Sequence, residues 1–255
     1  MDITLTAHLI LVGVAFFAGF ISSIAGSGGI LTLPALLWVG LPPLQALATN
    51  KVQSSLGTLS STWNFFRKGH IVLQPIILSV LLAIVGSIVG TLVVQRISVD
   101  ILSKLIPFLL LTIAIYFLFS KNINKSGLKN GQQLQKISRH WFACTAGLGM
   151  GFYGGFFGPG MGSIMPFLFV WLLGYNLVKA TAETKLILLA VNGTSAVIFT
   201  LSDLVFWSLA ISMSIAQIIG AFIGSNMVIN RGTALVQPLI ITVTILVSLK
   251  LLLWP

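Results

Sequence analysis

Two glycine clusters mark places where the backbone itself could bind a ligand. Gly26-Ser27-Gly28-Gly29 forms the first cluster, and Gly158-Pro159-Gly160-Met161-Gly162 forms the second. A glycine-rich backbone lets N–H groups approach an anion without obstruction from side chains, and the N-terminal end of a following helix adds partial positive charge. We therefore predict two half-sites for an anion. The residues concerned are Gly26, Ser27, Gly28, Gly29, Gly158, Gly160 and Gly162. The alternative is that these glycines serve only close helix packing.

Two lysines follow the clusters at similar distances, each beside small polar residues. Lys51 and Lys185 both lie near the start of a long apolar segment. A buried ammonium is costly unless it has a counter-charge, and a bound anion would supply one. The neighbouring residues predicted to share in binding are Thr49, Asn50, Gln53, Thr181 and Thr184. The alternative is that both lysines extend from a helix end to a polar interface.

Glu183 is one of only four acidic residues and lies two positions before Lys185. Its carboxyl group could titrate and carry a proton, or it could simply neutralise Lys185. Asn192 follows in the same segment. We expect this amide to form a hydrogen bond between helices rather than to bind a ligand.

The other reactive side chains are too few and too scattered for an enzyme. His8, His70 and His140 are widely separated, and none belongs to a metal-ligand spacing. Cys144 is the single cysteine, so no intramolecular disulfide can form. No Gly-Lys-Ser/Thr follows either glycine cluster, which excludes a phosphate-binding loop of that type. We expect no catalytic residue, metal site or cofactor.

The composition places these residues in a membrane. The 255-residue chain is 56% hydrophobic and 7% charged, with a formal net charge of +10, whereas about a quarter of the residues are charged in soluble domains. Four charge-free stretches exceed the ~20 residues that span a bilayer; they are 3–50, 69–95, 140–178 and 204–230. The chain is therefore predicted to be an all-α polytopic membrane protein. Its basic residues are typical of membrane loops and do not predict a nucleic-acid partner, and no cleavable signal is expected.

Turn and charge signals divide the apolar sequence into ten segments. They are 5–25, 29–40, 44–66, 70–95, 98–120, 140–157, 161–174, 179–201, 204–229 and 233–254. Eight are long enough to span. The second and seventh are short and each follows a glycine cluster, which is typical of a half-helix or a re-entrant segment.

The chain also repeats itself. Gly19-Phe20 and Pro34 reappear 132 residues later as Gly151-Phe152 and Pro166. This pattern predicts two homologous membrane repeats, 1–120 and 140–255, joined by a basic linker, 121–139. Each repeat would hold four long spans and one short glycine-broken segment, giving 8–10 membrane segments. Paired broken segments of this kind predict a binding site between the repeats.

The relative orientation of the repeats follows from the number of crossings. Short segments that cross the membrane give five crossings per repeat and an inverted second repeat, whereas re-entrant segments give four crossings and parallel repeats. The basic residues favour inversion. The linker carries five basic residues and no acid, which places it in the cytoplasm, and Arg67 and Lys68 then lie on the same side.

The motifs together resemble one known family. The glycine-rich stretch from Gly19 to Pro34, the Ala-Thr-Asn element at 48–50, and their copies at 151–166 and 180–185 are similar to those of the TauE/SafE sulfite exporter family. The second copy departs from the first at Pro159 and Met161, and by the insertion of Glu183, which predicts that the two half-sites are not identical.

This resemblance implies a multi-pass permease of the cytoplasmic membrane. Its expected substrates are sulfite, sulfonates or related small sulfur-containing anions, moved outward by alternating access at a central site between the repeats, with proton coupling through Glu183 as one option. The expected partners are the anion and the lipid bilayer, and a homodimer is left open. A passive anion channel and a membrane enzyme or scaffold remain the alternatives.

Overall fold

The computed structural model describes residues 3–26, 28–129 and 137–231, and within these ranges the chain is helical with short loops and no strand. The helices are α1 (Leu5–Ala25), α2 (Gly29–Trp38), α3 (Pro43–Arg67), α4 (Ile77–Gln95), α5 (Val99–Lys129), α6 (Arg139–Phe142, the π-helical turn Ala143–Gly147 and Leu148–Phe156), α7 (Met161–Leu173), α8 (Leu177–Leu201) and α9 (Trp207–Arg231). The all-α prediction is confirmed for these residues.

Local sequence signals explain where several helices begin and end. The Thr4 hydroxyl accepts a hydrogen bond from the backbone N–H of Ala7 at the start of α1, and the Asn176 side chain accepts one from Lys179 at the start of α8. These are the residue types preferred at helix N-caps. Gly26 ends α1 and Gly174 ends α7, both in the left-handed conformation that glycine adopts without strain.

Most of the predicted segment bounds agree with the helices to within a few residues, but two differ. Helix α4 begins at Ile77 rather than at residue 70, because Pro75 lies in the preceding loop and disfavours helical geometry in the residue before it. Helix α5 continues past residue 120 to Lys129, since lysine is a good helix former. The tenth segment, 233–254, and linker residues 130–136 lie outside the described residues.

Four of the described helices are long and apolar enough to cross a membrane: α1, α4, α8 and α9. Helices α2 and α7 have only 10 and 13 residues, which agrees with the prediction of two short segments. Helix α3 is 25 residues long but buries an unusual number of polar side chains, among them Asn50, Lys51 and Gln53.

Glycines allow two helix pairs to pack backbone against backbone. Helix α1 runs along α9, where a Cβ at Gly220 or Gly224 would overlap the backbone of Phe16 or Phe20. Helix α4 runs along α6, where a Cβ at Gly86 or Gly90 would overlap the α6 backbone near Phe152. These four glycines therefore have a packing role.

Helices α3 and α8 lie at the centre and run antiparallel. The side chain of Lys51 contacts Asn192, whereas Thr62, farther along α3, donates to the carbonyl of Lys185, which comes earlier in α8. Helix α3 also runs alongside α9, and α8 alongside α4. Each half of the chain therefore packs its helices mainly against those of the other half.

Candidate functional site

The two glycine clusters meet at the centre of the molecule. A Cβ built at Gly26 would overlap the backbone of Gly162, and one at Gly162 would overlap Gly26. Gly29, at the start of α2, faces Pro159 of the other cluster. The two helix breaks are therefore in direct contact.

Three of the cluster glycines adopt backbone conformations that other residues rarely adopt. The φ angles are 76° at Gly26, 102° at Gly158 and 85° at Gly160, all in the left-handed half of conformational space. The turns end α1 and α6 inside the protein. The last carbonyl groups of a helix have no partner within it, so these buried ends require donors from elsewhere.

Lys51 supplies a donor to the end of α6. Its ammonium donates to the backbone carbonyl of Gly154 and lies 3.3 Å from the side-chain oxygen of Asn192. A Cβ at Gly158 would collide with this ammonium, so glycine at that position provides space for it. Asn192 does form the expected hydrogen bond between helices.

Lys185 does the same at the end of α1. Its ammonium donates to the backbone carbonyl of Ser22, which lies four residues before Gly26, as Gly154 lies four residues before Gly158. Each lysine thus comes from the third helix of one half and binds the terminal carbonyl of the first helix of the other half.

The burial of both lysines excludes the interpretation that they extend to a polar interface. Each side chain has only 1% of its surface exposed. A cation at the C-terminal end of a helix interacts favourably with the helix dipole. Among the described residues, no carboxylate forms an ion pair with either lysine.

Lys51 and Lys185 lie at different heights along the axes of the central helices α3 and α8. Lys51 lies beside Asn192, whereas the Lys185 backbone lies beside Thr62. Roughly 16 Å of helix axis separates Lys51 from Thr62 at a rise of 1.5 Å per residue. The lysines therefore flank the meeting point of the two breaks from opposite sides and share no partner.

Asn50 and Gln53 lie next to the first break. The Asn50 side-chain oxygen accepts hydrogen bonds from Thr32, at 2.6 Å, and from Gln53, at 3.0 Å. The Asn50 amide nitrogen faces the position of a Cβ on Gly29. The side-chain oxygen of Gln53 is buried and has no hydrogen-bond partner among the residues described.

Other predicted residues make contacts away from the point where the two breaks touch. Thr49 accepts a hydrogen bond from the backbone N–H of Phe206, just before α9. A Cβ at Gly28 would meet α1 at Ala18, and one at Gly160 would meet Ile113 of α5. Ser27 lies outside the described residues.

Two threonines of α8 remain near the site. Thr181 and Thr184 are both buried. The hydroxyl of Thr184, which precedes Lys185, has no hydrogen-bond partner in the described part of the chain, whereas no hydrogen bond identifies a role for Thr181. Thr184 is therefore the better placed of the two to contact a ligand.

Glu183 does not neutralise Lys185, so that interpretation is wrong. Its carboxylate lies 3.8 Å from the ammonium of Lys179, because residues four apart share a helix face and residues two apart do not. The Glu183 side chain is fully buried, and neither oxygen accepts a hydrogen bond from any described residue. Lys179 itself is part exposed and also lies over the ring of Tyr175.

The residues that sequence reasoning missed are mainly backbone groups. The carbonyls of Ser22 and Gly154 hold the lysines, and no side-chain pattern identifies them. The third missed group, Gln217, fills the space left by Gly19 of α1 and Gly57 of α3. Its side-chain oxygen is also buried without a partner among the described residues.

Comparisons with known proteins give matches along almost the whole chain. The family described as "Sulfite exporter TauE/SafE" matches residues 11–251. A Haemophilus influenzae protein named "Probable membrane transporter protein" is 39% identical over 251 residues, covering 98% of this chain and 96% of that protein. "Probable membrane transporter protein YfcA" of Escherichia coli K12 is 40% identical over 247 residues, covering 95% and 90%. A more distant relative in Bacillus subtilis, "Probable membrane transporter protein YdhB", is 23% identical over 221 residues, covering 86% and 89%. No solved structure matches the chain significantly.

Proposed function

Because the chain belongs to the TauE/SafE sulfite exporter family, a family of membrane transporters, we propose that it exports sulfite, sulfonates or related small sulfur-containing anions as a secondary transporter. One observation carries the proposal. Two buried lysines flank a pair of touching helix breaks, and no carboxylate among the described residues is paired with either ammonium. A small anion is the ligand that supplies the missing negative charge. We propose no enzymatic activity.

In this proposal the anion replaces a backbone carbonyl as the hydrogen-bond partner of a lysine ammonium. Each ammonium now donates to a helix-terminal carbonyl, which carries only partial negative charge. A sulfite or sulfonate oxygen carries a formal negative charge, so it attracts the ammonium more strongly than a neutral carbonyl oxygen does. The N-terminal ends of α2 and α7, together with Asn50 and Thr184, supply further donors.

The two repeats are inverted in this proposal. Helices α3 and α8 occupy equivalent places in their repeats and run antiparallel. Glycine contacts between α1 and α9 match those between α4 and α6, as an in-plane two-fold axis requires. Inverted repeats let one arrangement open to either side of the membrane, which is the structural basis of alternating access.

The orientation of the chain follows from its basic residues. We place the ends of α3 and α5 and the linker in the cytoplasm, because Arg67, Lys68 and the five basic residues of 121–139 belong there by the positive-inside rule. The protein then lies in the cytoplasmic membrane, and the loop after α8 lies outside.

Anion flux into proteoliposomes tests this function. We expect sulfite uptake by the purified protein to saturate and to be inhibited by small sulfonates or thiosulfate, and empty liposomes serve as the control. Preloaded sulfite should accelerate uptake of labelled sulfite, because a carrier exchanges substrate across the membrane. Flux that neither saturates nor shows this counterflow would indicate a passive anion channel. Absence of flux for every tested anion would contradict the proposed substrate class.

A further inference from the structure

A polar seam runs along the contact between α3 and α9. Its members are buried, uncharged side chains: Asn50, Gln53 and Asn64 of α3, and Gln217 and Ser225 of α9. The Asn64 amide nitrogen lies 2.8 Å from the Ser225 hydroxyl and also donates to Asn226. On α3 these residues recur at helical spacing on one face. This α3–α9 seam extends from the first glycine break to the ends of both helices.

A second polar seam runs along the contact between α4 and α8. The hydroxyls of Ser87 and Thr91 each lie 2.9 Å from the hydroxyl of Ser195, and all three side chains are fully buried. At the end of the two helices, Ser202 donates to the side-chain oxygen of Gln95 at 2.9 Å. This α4–α8 seam begins at Asn192, next to the Lys51 ammonium.

The two seams lead from the centre to opposite ends of the helix bundle. Each reaches the C-terminal end of its own central helix, and α3 and α8 are antiparallel. Lys51 lies at the inner end of both seams, since it contacts Asn192 of the α4–α8 seam and directly follows Asn50 of the α3–α9 seam. The Lys185 backbone accepts from Thr62, nearer the outer end of the α3–α9 seam.

Hydrogen bonds between helices do not pair all of the buried polar atoms along the two seams. The side-chain oxygens of Gln53 and Gln217 and the side-chain nitrogen of Gln95 are buried without a partner among the described residues. An unsatisfied buried polar atom is destabilising, so side chains kept only for helix association would be expected to be paired or apolar. Unpaired amides along a seam are suited to a polar solute or water that occupies it in another conformation.

We propose that the two seams are the two halves of the substrate's route. The α3–α9 seam opens between the central site and the end of the bundle at Arg67, and the α4–α8 seam opens between the central site and the end at Ser202. Uncharged amides and hydroxyls let an anion pass without holding it, while Lys51, at the inner end of both seams, draws it to the centre. The identity of the substrate rests on the proposed transport function, but the route itself can be tested without a substrate.

Labelling of single cysteines from each side of the membrane tests the route. The native Cys144 is first changed to Ala, and Ser225→Cys and Ser195→Cys then place a thiol of similar size in each seam. Ile223→Cys and Val197→Cys serve as matched controls on the same helices, because these side chains are 47% and 59% exposed on the outer surface of the bundle. Right-side-out and inverted vesicles are treated with a charged, membrane-impermeant methanethiosulfonate reagent.

We expect Ser225→Cys to react from the cytoplasmic side and Ser195→Cys from the outside, each at least about tenfold faster than its control, because a charged reagent does not reach a thiol that faces lipid. Reaction at either seam should also block sulfite uptake. The proposal would be overturned if the two seam thiols reacted no faster than their controls. It would also be overturned if both seam thiols reacted from the same side of the membrane only. Sided labelling of a protein that carries no tested anion would support the route and contradict the proposed substrate.

Discussion

The two buried lysines are the residues on which an anion site most depends. Each is held by a backbone carbonyl of the opposite half, at the end of a helix that a glycine terminates. The partial charge of a helix end offsets only part of the cost of burying an ammonium. A full negative charge from a substrate would stabilise the lysine that it contacts further, and this difference favours binding.

Removal of the lysine charges should weaken substrate binding before it prevents folding. We expect Lys51→Ala and Lys185→Ala each to raise the KM for sulfite, and the double variant to lose saturable uptake. In Lys51→Ala the Gly154 carbonyl is left without a donor among the described residues, which should lower the unfolding free energy by about 1–3 kcal/mol, whereas in Lys185→Ala the Ser22 carbonyl keeps its hydrogen bond from Gly26. A thermal melt in detergent measures the difference. Lys104→Ala, at an exposed position on α5, is the control. A folded double variant with the wild-type KM would remove both lysines from the site.

Glu183 is the candidate for proton coupling. Its carboxylate is buried and is paired only distantly with Lys179. A change in its charge would therefore alter the electrostatic potential among the packed helices. We expect Glu183→Gln to abolish sulfite accumulation driven by a pH gradient while leaving sulfite exchange intact. Asp203→Asn is the matched control, since it removes an exposed carboxylate and asparagine tolerates the positive φ of that residue. Unchanged accumulation in Glu183→Gln would assign the coupling to another group.

Residue types and spacing identify Lys51, Lys185 and several buried neighbours, but not their hydrogen-bond partners, and the role of these residues in binding stays a prediction. The hydrogen bond between Asn192 and another helix is confirmed. The pairing of Glu183 with Lys185 is wrong, because residues two apart point to different faces of a helix. The carbonyls of Ser22 and Gly154 could not be predicted, since every residue has a carbonyl and only the fold shows which ones a lysine reaches.

Among the elements, the helix breaks use their glycines in two ways, and the binding of an anion by their backbone stays a prediction. Gly26 and Gly162 permit the breaks to touch, which is a packing role. Gly158 leaves space for the Lys51 ammonium, which is a role in the site. The glycines of one cluster therefore tolerate substitution unequally, and their positions in the structure say which ones do.

Substitution of cluster glycines should separate these roles. At Gly162 an added Cβ would overlap the backbone of Gly26, whereas at Gly29 it would lie 3.5 Å from Pro159, an ordinary contact distance. We expect Gly162→Ala to lose most sulfite transport and Gly29→Ala to keep it, both measured as initial uptake rates at equal protein in proteoliposomes. Equal activity of the two variants would show that the breaks do not need to touch.

The α4–α6 contact gives a prediction about stability alone. A Cβ at Gly151 would overlap the backbone of Ala83, but Gly149, two residues earlier, has no atom within 4 Å of that position. Gly151→Ala should therefore lower the melting temperature. Gly149→Ala should leave it unchanged or raise it, because alanine is favoured over glycine inside helices by roughly 0.5–1 kcal/mol. A similar loss in both variants would mean that helix packing is not the cause.

At the scale of elements the sequence predicted more than at the scale of contacts. Charge-free stretches and glycine clusters located both short helices and most long ones. The predicted start of α4 and end of α5 are both wrong for one reason. The bounds follow apolar runs, which indicate burial in the membrane and not helical geometry. Residue Ile71 illustrates this, since it is buried in the loop before α4 and packs with Ile24 and Phe65.

For the whole molecule, the reciprocal packing of the halves decides how a binding site could open to both sides. Helix α1 of the first half packs on α9 of the second, and α6 of the second packs on α4 of the first. Neither half is an independent body with its own core. Movement of one half relative to the other would therefore break many contacts, so we expect opening to proceed by local separation of helices around α3 and α8.

Inverted repeats predict that the loops after α3 and α8 lie on opposite sides of the membrane. Lys68 and Ser202 are both exposed and occupy equivalent positions, one residue beyond α3 and α8. In a chain in which Cys144 is changed to Ala, Lys68→Cys should react with an impermeant thiol reagent only from the cytoplasm and Ser202→Cys only from the outside, because antiparallel helices end on opposite sides of the membrane. Parallel repeats would place both thiols on one side, and that result would also remove the two-fold relation on which alternating access depends. Arg139→Cys, at the last residue of the basic linker, should label from the same side as Lys68→Cys, which fixes the cytoplasmic side independently of either repeat.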